Sequence, residues 1–193
     1  MTTVYFIRHA QSDNTVCDSL ARPLTPKGRK DCALVTDFLS DKHIQAVLSS
    51  PYQRAIDTVA GCAKKNGLTV EVIPAFREHE TILDTYSDDD YFGAIRRYWA
   101  DMHFKIGNDE SLADVQSRNI AALEQVLTRY CDKNIAIGTH GIALSTIINY
   151  YDNTYGYEDF LAMVKIKPWV VKMEFNGYTC TGIKKINLFP AGV

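Results

Sequence analysis

The chain's 193 residues, 46% of them hydrophobic, can bury one sizeable core, and nothing in the composition asks for a second domain. With 21 basic against 23 acidic residues the net charge is −2, so no overall positive field attracts nucleic acid and any anion site has to be local. No window approaches about 18 consecutive apolar residues, no basic segment leading into an apolar one opens the chain, and the cysteines are scattered without metal-ligand spacing; the expectation is a cytoplasmic protein with reduced thiols, no membrane partner and no metal.

Val4, Tyr5, Phe6 and Ile7 form a continuous apolar run, the pattern of a parallel strand covered on both faces. The run stops at Arg8-His9, which therefore sit at the strand's carboxyl end, the edge of an open α/β sheet where ligands bind. Arg8 offers a planar fork that fits phosphate bidentately, and His9, with one ring nitrogen free, is a nucleophile suited to neutral pH. Residues 11–23 read as a loop, with Asp13, Asn14, Thr15 and Asp18 favouring turns. Thr25 as N-cap and Pro26 at the first helical position open a helix whose apolar stripe is Cys32, Val35, Phe38 and Leu39. Ala46 to Leu48 make a second strand. Ser49 or Ser50 is expected to cap the helix that follows, to about Asn66, with Arg54 in its first turn, a poor place for a cation against the helix dipole and a good one if an anion binds there.

Thr69 to Ile73 read as a third strand. Residues 74–109 are irregular, with Phe76-Arg77-Glu78-His79-Glu80 first and then a helix around Tyr91 to Phe104, to which Asp88-Asp89-Asp90 give an acidic start. The expectation is an insertion covering the strand ends, within a single domain spanning 1–193. His43, His79 and His103 read as ordinary surface residues, while Tyr86, Tyr91, Tyr98 and Trp99 either line a specificity wall or pack the insertion. Ser111 caps a long helix to about Tyr130, in which Leu112, Val115, Ile120, Leu123, Val126 and Leu127 recur at helical spacing. Ile135 to Ile137 form a fourth strand leading into Thr139-His140-Gly141 and a helix over Ile142 to Tyr150. Two strand-like runs, Val170 to Phe175 and Thr179 to Ile186, are joined by Asn176-Gly177, a strong antiparallel hairpin signal. The fold class is α/β, a three-layer α/β/α sandwich on a mostly parallel mixed sheet.

In such a sheet the carboxyl ends of parallel strands share one edge, so Arg8 and His9, Arg54, and His140 can meet around one phosphate. Two arginines and two histidines surround an anion well, and the start of the helix carrying Arg54 adds backbone donors.

The residues resemble the histidine phosphatase superfamily, the phosphoglycerate mutase-like fold. The likeness rests on Arg8-His9-Ala10-Gln11-Ser12, Arg22-Pro23-Leu24-Thr25-Pro26-Lys27-Gly28, Ser49-Ser50-Pro51-Tyr52-Gln53-Arg54-Ala55, Glu78, Glu110-Ser111 and Thr139-His140-Gly141. The resemblance implies His9 as the phosphorylated nucleophile, Arg8, Arg54 and His140 as the rest of the phosphate pocket, and Glu78 as proton donor to the leaving oxygen. It also places Gln11, Ser12 and Gly141 at the substrate. Adjacent cations keep His9 neutral, and a backbone acceptor on its other nitrogen would fix the tautomer. Three departures from the family pattern stand out: Ala10 where glycine is usual, Thr15 where asparagine is usual with Asn14 one residue early, and the missing glycine and tryptophan-glutamate-glycine pattern after Glu78, which leaves Glu80 as the alternative donor. The implied activity is a metal-independent and cofactor-free phosphomonoester hydrolase working through phosphohistidine on a small phosphorylated substrate. The rivals are a phosphoglycerate mutase and a member that binds phospho-ligands or proteins with little turnover. Between Glu80 and Lys105, Arg96, Arg97 and Lys105 face Glu80, Asp84, Asp88, Asp89, Asp90 and Asp101, a net negative insertion that suits hydrolysis better than retention of a doubly phosphorylated intermediate.

Overall fold

The computed structural model describes residues 1–80 and 88–189, so Tyr86 and Asp84 lie outside the described residues. Alternation decides the layers. In β1 (Thr2–Arg8), Val4 and Phe6 face one side and Tyr5 and Ile7 the other; in β4 (Asn134–Thr139), Ile135 and Ile137 oppose Ala136 in the same way. Tyr5, Ile7, Val47 and Ala136 pack against Val35 and Leu39 of α1 (Pro26–Leu39) and Val59, Cys62 and Ala63 of α2 (Gln53–Lys65). Val4, Phe6, Ile135 and Ile137 pack beneath α3 (Asp88–Ala100), α4 (Leu112–Arg129), α5 (Gly141–Tyr151) and α6 (Tyr157–Val164).

The sheet runs β3-β2-β4-β1-β5-β6, with β2 (Ala46–Ser49), β3 (Val70–Val72), β5 (Trp169–Asn176) and β6 (Thr179–Ile186). The first four strands are mutually parallel, whereas β5 runs antiparallel to β1 and β6 antiparallel to β5, across the turn at Asn176-Gly177. β4 is inserted between β1 and β2, so the carboxyl ends of all three stand side by side, with Arg8 in register with Thr139 and Ser49 with Gly138.

Thr25 caps α1 as expected, accepting from the Gly28 N–H at 2.9 Å with Pro26 in the first turn. Gly28 is needed for a packing reason: a Cβ there would lie 2.1 Å from the Gln11 carbonyl oxygen. Ser111 caps α4 in a capping box with Asp114. Three expectations are corrected. Neither Ser49 nor Ser50 caps α2, whose N-cap is Tyr52 with no side-chain cap, because Pro51 delays the helix and the Ser50 hydroxyl is committed to His140. The third strand is shorter than Thr69 to Ile73. The helix of the insertion starts at Asp88 and ends at Ala100, since the Asp101 carboxylate accepts the His103 N–H at 2.9 Å and turns the chain. The short helix α6 has no counterpart in the sequence reading. All five cysteines are free, and among the described residues no helix is long and apolar enough to cross a membrane.

Candidate active site

At the shared carboxyl edge lies a cavity of about 320 Å³, lined by Arg8, His9, Ser12, Asn14, Ser19, Arg22, Tyr52, Arg54, Glu78, His79, Tyr91, Phe92, Val164 and Lys167. His9 leaves β1 directly after Arg8, its N–H bonded to the Thr139 carbonyl at 3.0 Å. Its Nδ1–H donates to the Ala10 carbonyl at 2.7 Å, which leaves Nε2 as the bare nitrogen, and the Arg54 Nε–H donates to that lone pair at 3.2 Å. Burial, with Arg54, Arg8 and Lys167 nearby, holds the imidazole well below its ordinary pKa. The ring is therefore neutral and held in one orientation, with Nε2 unprotonated.

Arg8 is buried at the cavity wall and anchored through one nitrogen: Nη1 donates to the carbonyls of Met163 (3.0 Å), Val164 (2.8 Å) and Ile166 (3.3 Å), where the end of α6 concentrates negative potential. Its Nε is buried without a partner among the described residues. Burial pushes the guanidinium down to about 10, still cationic at neutral pH. Gly141 stands against its flat face, since a Cβ there would sit 3.4 Å from Nε and Nη2. Arg54, in the first turn of α2, is held by the Ser19 carbonyl at 2.6 Å and lies 4.6 Å over the Tyr52 ring.

His140 is the N-cap of α5 and does not line the cavity. It is fully buried behind His9, ring centroids 5.3 Å apart, and shares a 2.6 Å hydrogen bond with Ser50 Oγ. Burial, then Arg54, His9 and Arg8, keep it neutral. Glu78 closes the site from the third side. Its Oε1 accepts from the backbone N–H groups of Ala143 (2.9 Å) and His79 (3.0 Å), and its Oε2 from Ile142 (3.2 Å), placing the carboxyl group at the start of α5. Glu80, the alternative donor, is exposed and paired with Arg77 at 2.9 Å, outside the cavity.

The strand ends thus bring together Arg8, His9, Ser12, Arg54 and Glu78, with His140 and Gly141 immediately behind. Gln11 is not among them: its carbonyl accepts from the Thr25 N–H, its side chain accepts from the Thr25 hydroxyl, and it lines a neighbouring cavity with Lys27, Lys165 and Lys167. Asn14 lines the site, while Thr15 is exposed and bonded to Asp13. His79 is corrected from the surface to the interior. It is 5% exposed, with Nε2–H donating to the Glu110 carbonyl at 2.7 Å and the ring edge-on to Tyr98, because its segment is folded onto α4. His43 and His103 are exposed, as expected. Tyr91 lines the cavity with Phe92, whereas Tyr98 and Trp99 pack inward, Tyr98 donating to Asp109 and Trp99 lying against Tyr155.

Arg22, Ser19, Tyr52, Phe92 and Lys167 are cavity residues to which the sequence reading gave no role. For Lys167 a signal existed: it stands two residues before an antiparallel strand, and the start of an antiparallel strand lies at the edge where its parallel neighbours end. Burial, with Arg8 and Arg54, pushes its ammonium down to about 8. As pH rises through that value the charge is lost, so KM for a phosphomonoester dianion is expected to rise on the order of fivefold between pH 7 and 9.5. Steady-state kinetics of Lys167→Gln should show a raised KM without this alkaline limb.

A neutral histidine nucleophile, flanking arginines and an adjacent carboxyl group at the carboxyl edge of an α/β sheet define a phosphatase or mutase type of phosphate-handling enzyme. The chain belongs to the histidine phosphatase superfamily (branch 1), which it matches over residues 4–178 and in which phosphohistidine chemistry is general. It is 28% identical over 161 residues to phosphoserine phosphatase 1 of Hydrogenobacter thermophilus, covering 75% of this chain and 73% of that one. Its fold is that of phosphoglycerate mutase from Bacillus anthracis (TM-score 0.75, 18% identity, 96% and 92% of the two chains). It is equally that of a mycobacterial glucosyl-3-phosphoglycerate phosphatase (TM-score 0.73, 18% identity, 95% and 96%).

Proposed function

We propose that the chain is a phosphomonoester hydrolase whose catalytic residues are Arg8, His9, Arg54, Glu78 and His140, with Ser12 and Gly141 at the substrate. The observation that carries this is His9 itself, a bare Nε2 directed by the Ala10 carbonyl and the Arg54 N–H into a cationic cavity. His9 Nε2 attacks phosphorus, the ester P–O bond breaks, and Glu78 as the carboxylic acid gives its proton to the departing alkoxide. Water then attacks the phosphohistidine, passing a proton to the Glu78 carboxylate; the N–P bond breaks and inorganic phosphate leaves. Arg8 and Arg54, backed by the neutral His140, stabilise charge on the transferring oxygens, which is most of what such a reaction requires. No metal or other cofactor enters this scheme.

Hydrolysis is favoured over mutase action by the position of two arginines. Arg96 and Arg97 are exposed, stacked on Tyr157 and Phe104, and neither lines the cavity, so the described residues of 74–109, a segment taken as a cap within one domain of 1–193, bring no added cation to hold a bisphosphate. The proposal extends to a cytoplasmic enzyme acting on a small phosphorylated substrate, not on nucleic acid or a membrane, consistent with the net charge of −2. Supplied with 3-phosphoglycerate and 2,3-bisphosphoglycerate in excess EDTA, it should release free phosphate faster than it forms 2-phosphoglycerate. Isomerisation outrunning phosphate release by orders of magnitude would overturn the hydrolase assignment, and a loss of rate restored only by a divalent ion would overturn metal independence.

A further inference from the structure

Residues 77–80, which carry Glu78, belong to no helix or strand, and they follow a single 3₁₀ turn at Pro74–Phe76. Buried carbonyls in such a segment have no ladder to join and need donors from elsewhere. One side chain supplies them. Arg118, in the second turn of α4, donates through Nη1 to the carbonyls of Ala75 (2.6 Å) and Arg77 (2.8 Å) and through Nη2 to that of Glu78 (2.9 Å).

The same guanidinium grips Glu110 bidentately, Nε to Oε1 at 2.8 Å and Nη2 to Oε2 at 2.9 Å. Glu110 in turn accepts from Arg77 Nη2 (2.7 Å) and the Glu80 N–H (3.2 Å), and its carbonyl accepts from His79. Arg118 and Glu110 are only 14% and 17% exposed. Burial alone would raise the Glu110 carboxyl, but the hydrogen bond and charge of Arg118 outweigh it and hold the group below its ordinary value, so the pair stays charged. Every donor position of Arg118 is directed at the backbone around Glu78 or at the carboxylate that holds that backbone from its other side.

We propose that Arg118, locked by Glu110, is the positioning residue for the proton donor Glu78, fixing the main chain from which the carboxyl group reaches the start of α5. This role rests on the phosphohistidine reaction proposed above. It also separates two effects that a general scaffold would merge: a displaced Glu78 leaves the His9 nucleophile and its phosphate pocket intact and impairs protonation of the leaving oxygen.

Leaving-group dependence reads that difference. Glycerol 3-phosphate releases a basic alkoxide that needs a proton, whereas 4-nitrophenyl phosphate releases a weakly basic phenolate that does not. In kcat/KM, Glu78→Gln should lose about 10² to 10⁴-fold on glycerol 3-phosphate and far less on the aryl ester. Arg118→Lys, which keeps the charge but not the fork, and Glu110→Gln should each lose about 10 to 10²-fold on glycerol 3-phosphate, again with a much smaller loss on the aryl ester. The double variant Glu78→Gln with Arg118→Lys should be no slower than Glu78→Gln alone, since the clamp acts through that carboxyl group. Should Arg118→Lys fail to give a cooperative thermal transition, Glu110→Gln, nearly isosteric, carries the comparison. Equal losses on both esters for Glu78→Gln would remove the acid assignment and this proposal together. A discriminating Glu78→Gln beside clamp variants that slow both esters alike, or neither, would overturn the positioning role alone.

Discussion

Purified His9→Ala is expected to lose turnover of 4-nitrophenyl phosphate by on the order of 10⁴-fold or more, while its thermal transition stays near that of the parent chain. The size follows from the chemistry: in the proposed reaction the N–P bond forms on His9 Nε2, which the substitution removes. His140 cannot substitute for it, because it is fully enclosed, absent from the cavity wall and hydrogen-bonded to Ser50. Quenching in alkaline detergent during turnover should trap an acid-labile, alkali-stable phosphoenzyme in the parent chain and none in the variant. Substantial residual activity in His9→Ala would remove the mechanism.

The second large effect is expected from Arg54→Gln, because one side chain does two jobs. In the proposed reaction it is a charged donor to the transferring phosphoryl group, and removing one such donor costs about 10² to 10³-fold in kcat. It is also, after burial, the largest influence holding His9 below its ordinary pKa. Without it the folded-state pKa of His9 rises toward the ordinary histidine value, and the protonated imidazole has no lone pair for attack. The sign is therefore definite: in Arg54→Gln the rate is lost as pH falls through the raised His9 value, so the acid limb of the kcat/KM profile moves to higher pH. The parent chain stays active to a lower pH. Superimposable acid limbs for the two proteins would show that Arg54 does not set the protonation of His9.

How early the site could be seen differs from residue to residue. Arg8 and His9 were legible because the apolar run that stops at them shares its strand-end edge with Arg54 and His140, and Arg54 because a cation in the first turn of a helix is out of place without an anion. The caps of α1 and α4 were legible for the same local reason, a short side chain meeting orphan N–H groups a few residues on. The role of Ser50 was not. A serine before a helix start is a cap by local rules, and only the insertion of β4 between β1 and β2 brings His140 within 2.6 Å of its hydroxyl.

The same division runs through the rest of the site. Sequence alone determined the strands, most of the helices, the hairpin and the carboxyl edge where the chemistry collects, since each depends on periodicity or on neighbours within one turn. Tertiary structure put Glu78 at the cavity and Glu80 outside it, moved His79 inside, turned Gln11 to a neighbouring cavity, brought Lys167 to the cavity wall and supplied Arg118. It did so because those outcomes depend on bonds that span long separations: Glu78 on the start of α5, Arg8 on the end of α6, and the irregular segment 77–80 on one arginine of α4. A backbone without regular hydrogen bonds takes the shape of whatever distant donors satisfy it, and no local pattern in the sequence encodes which donors those are.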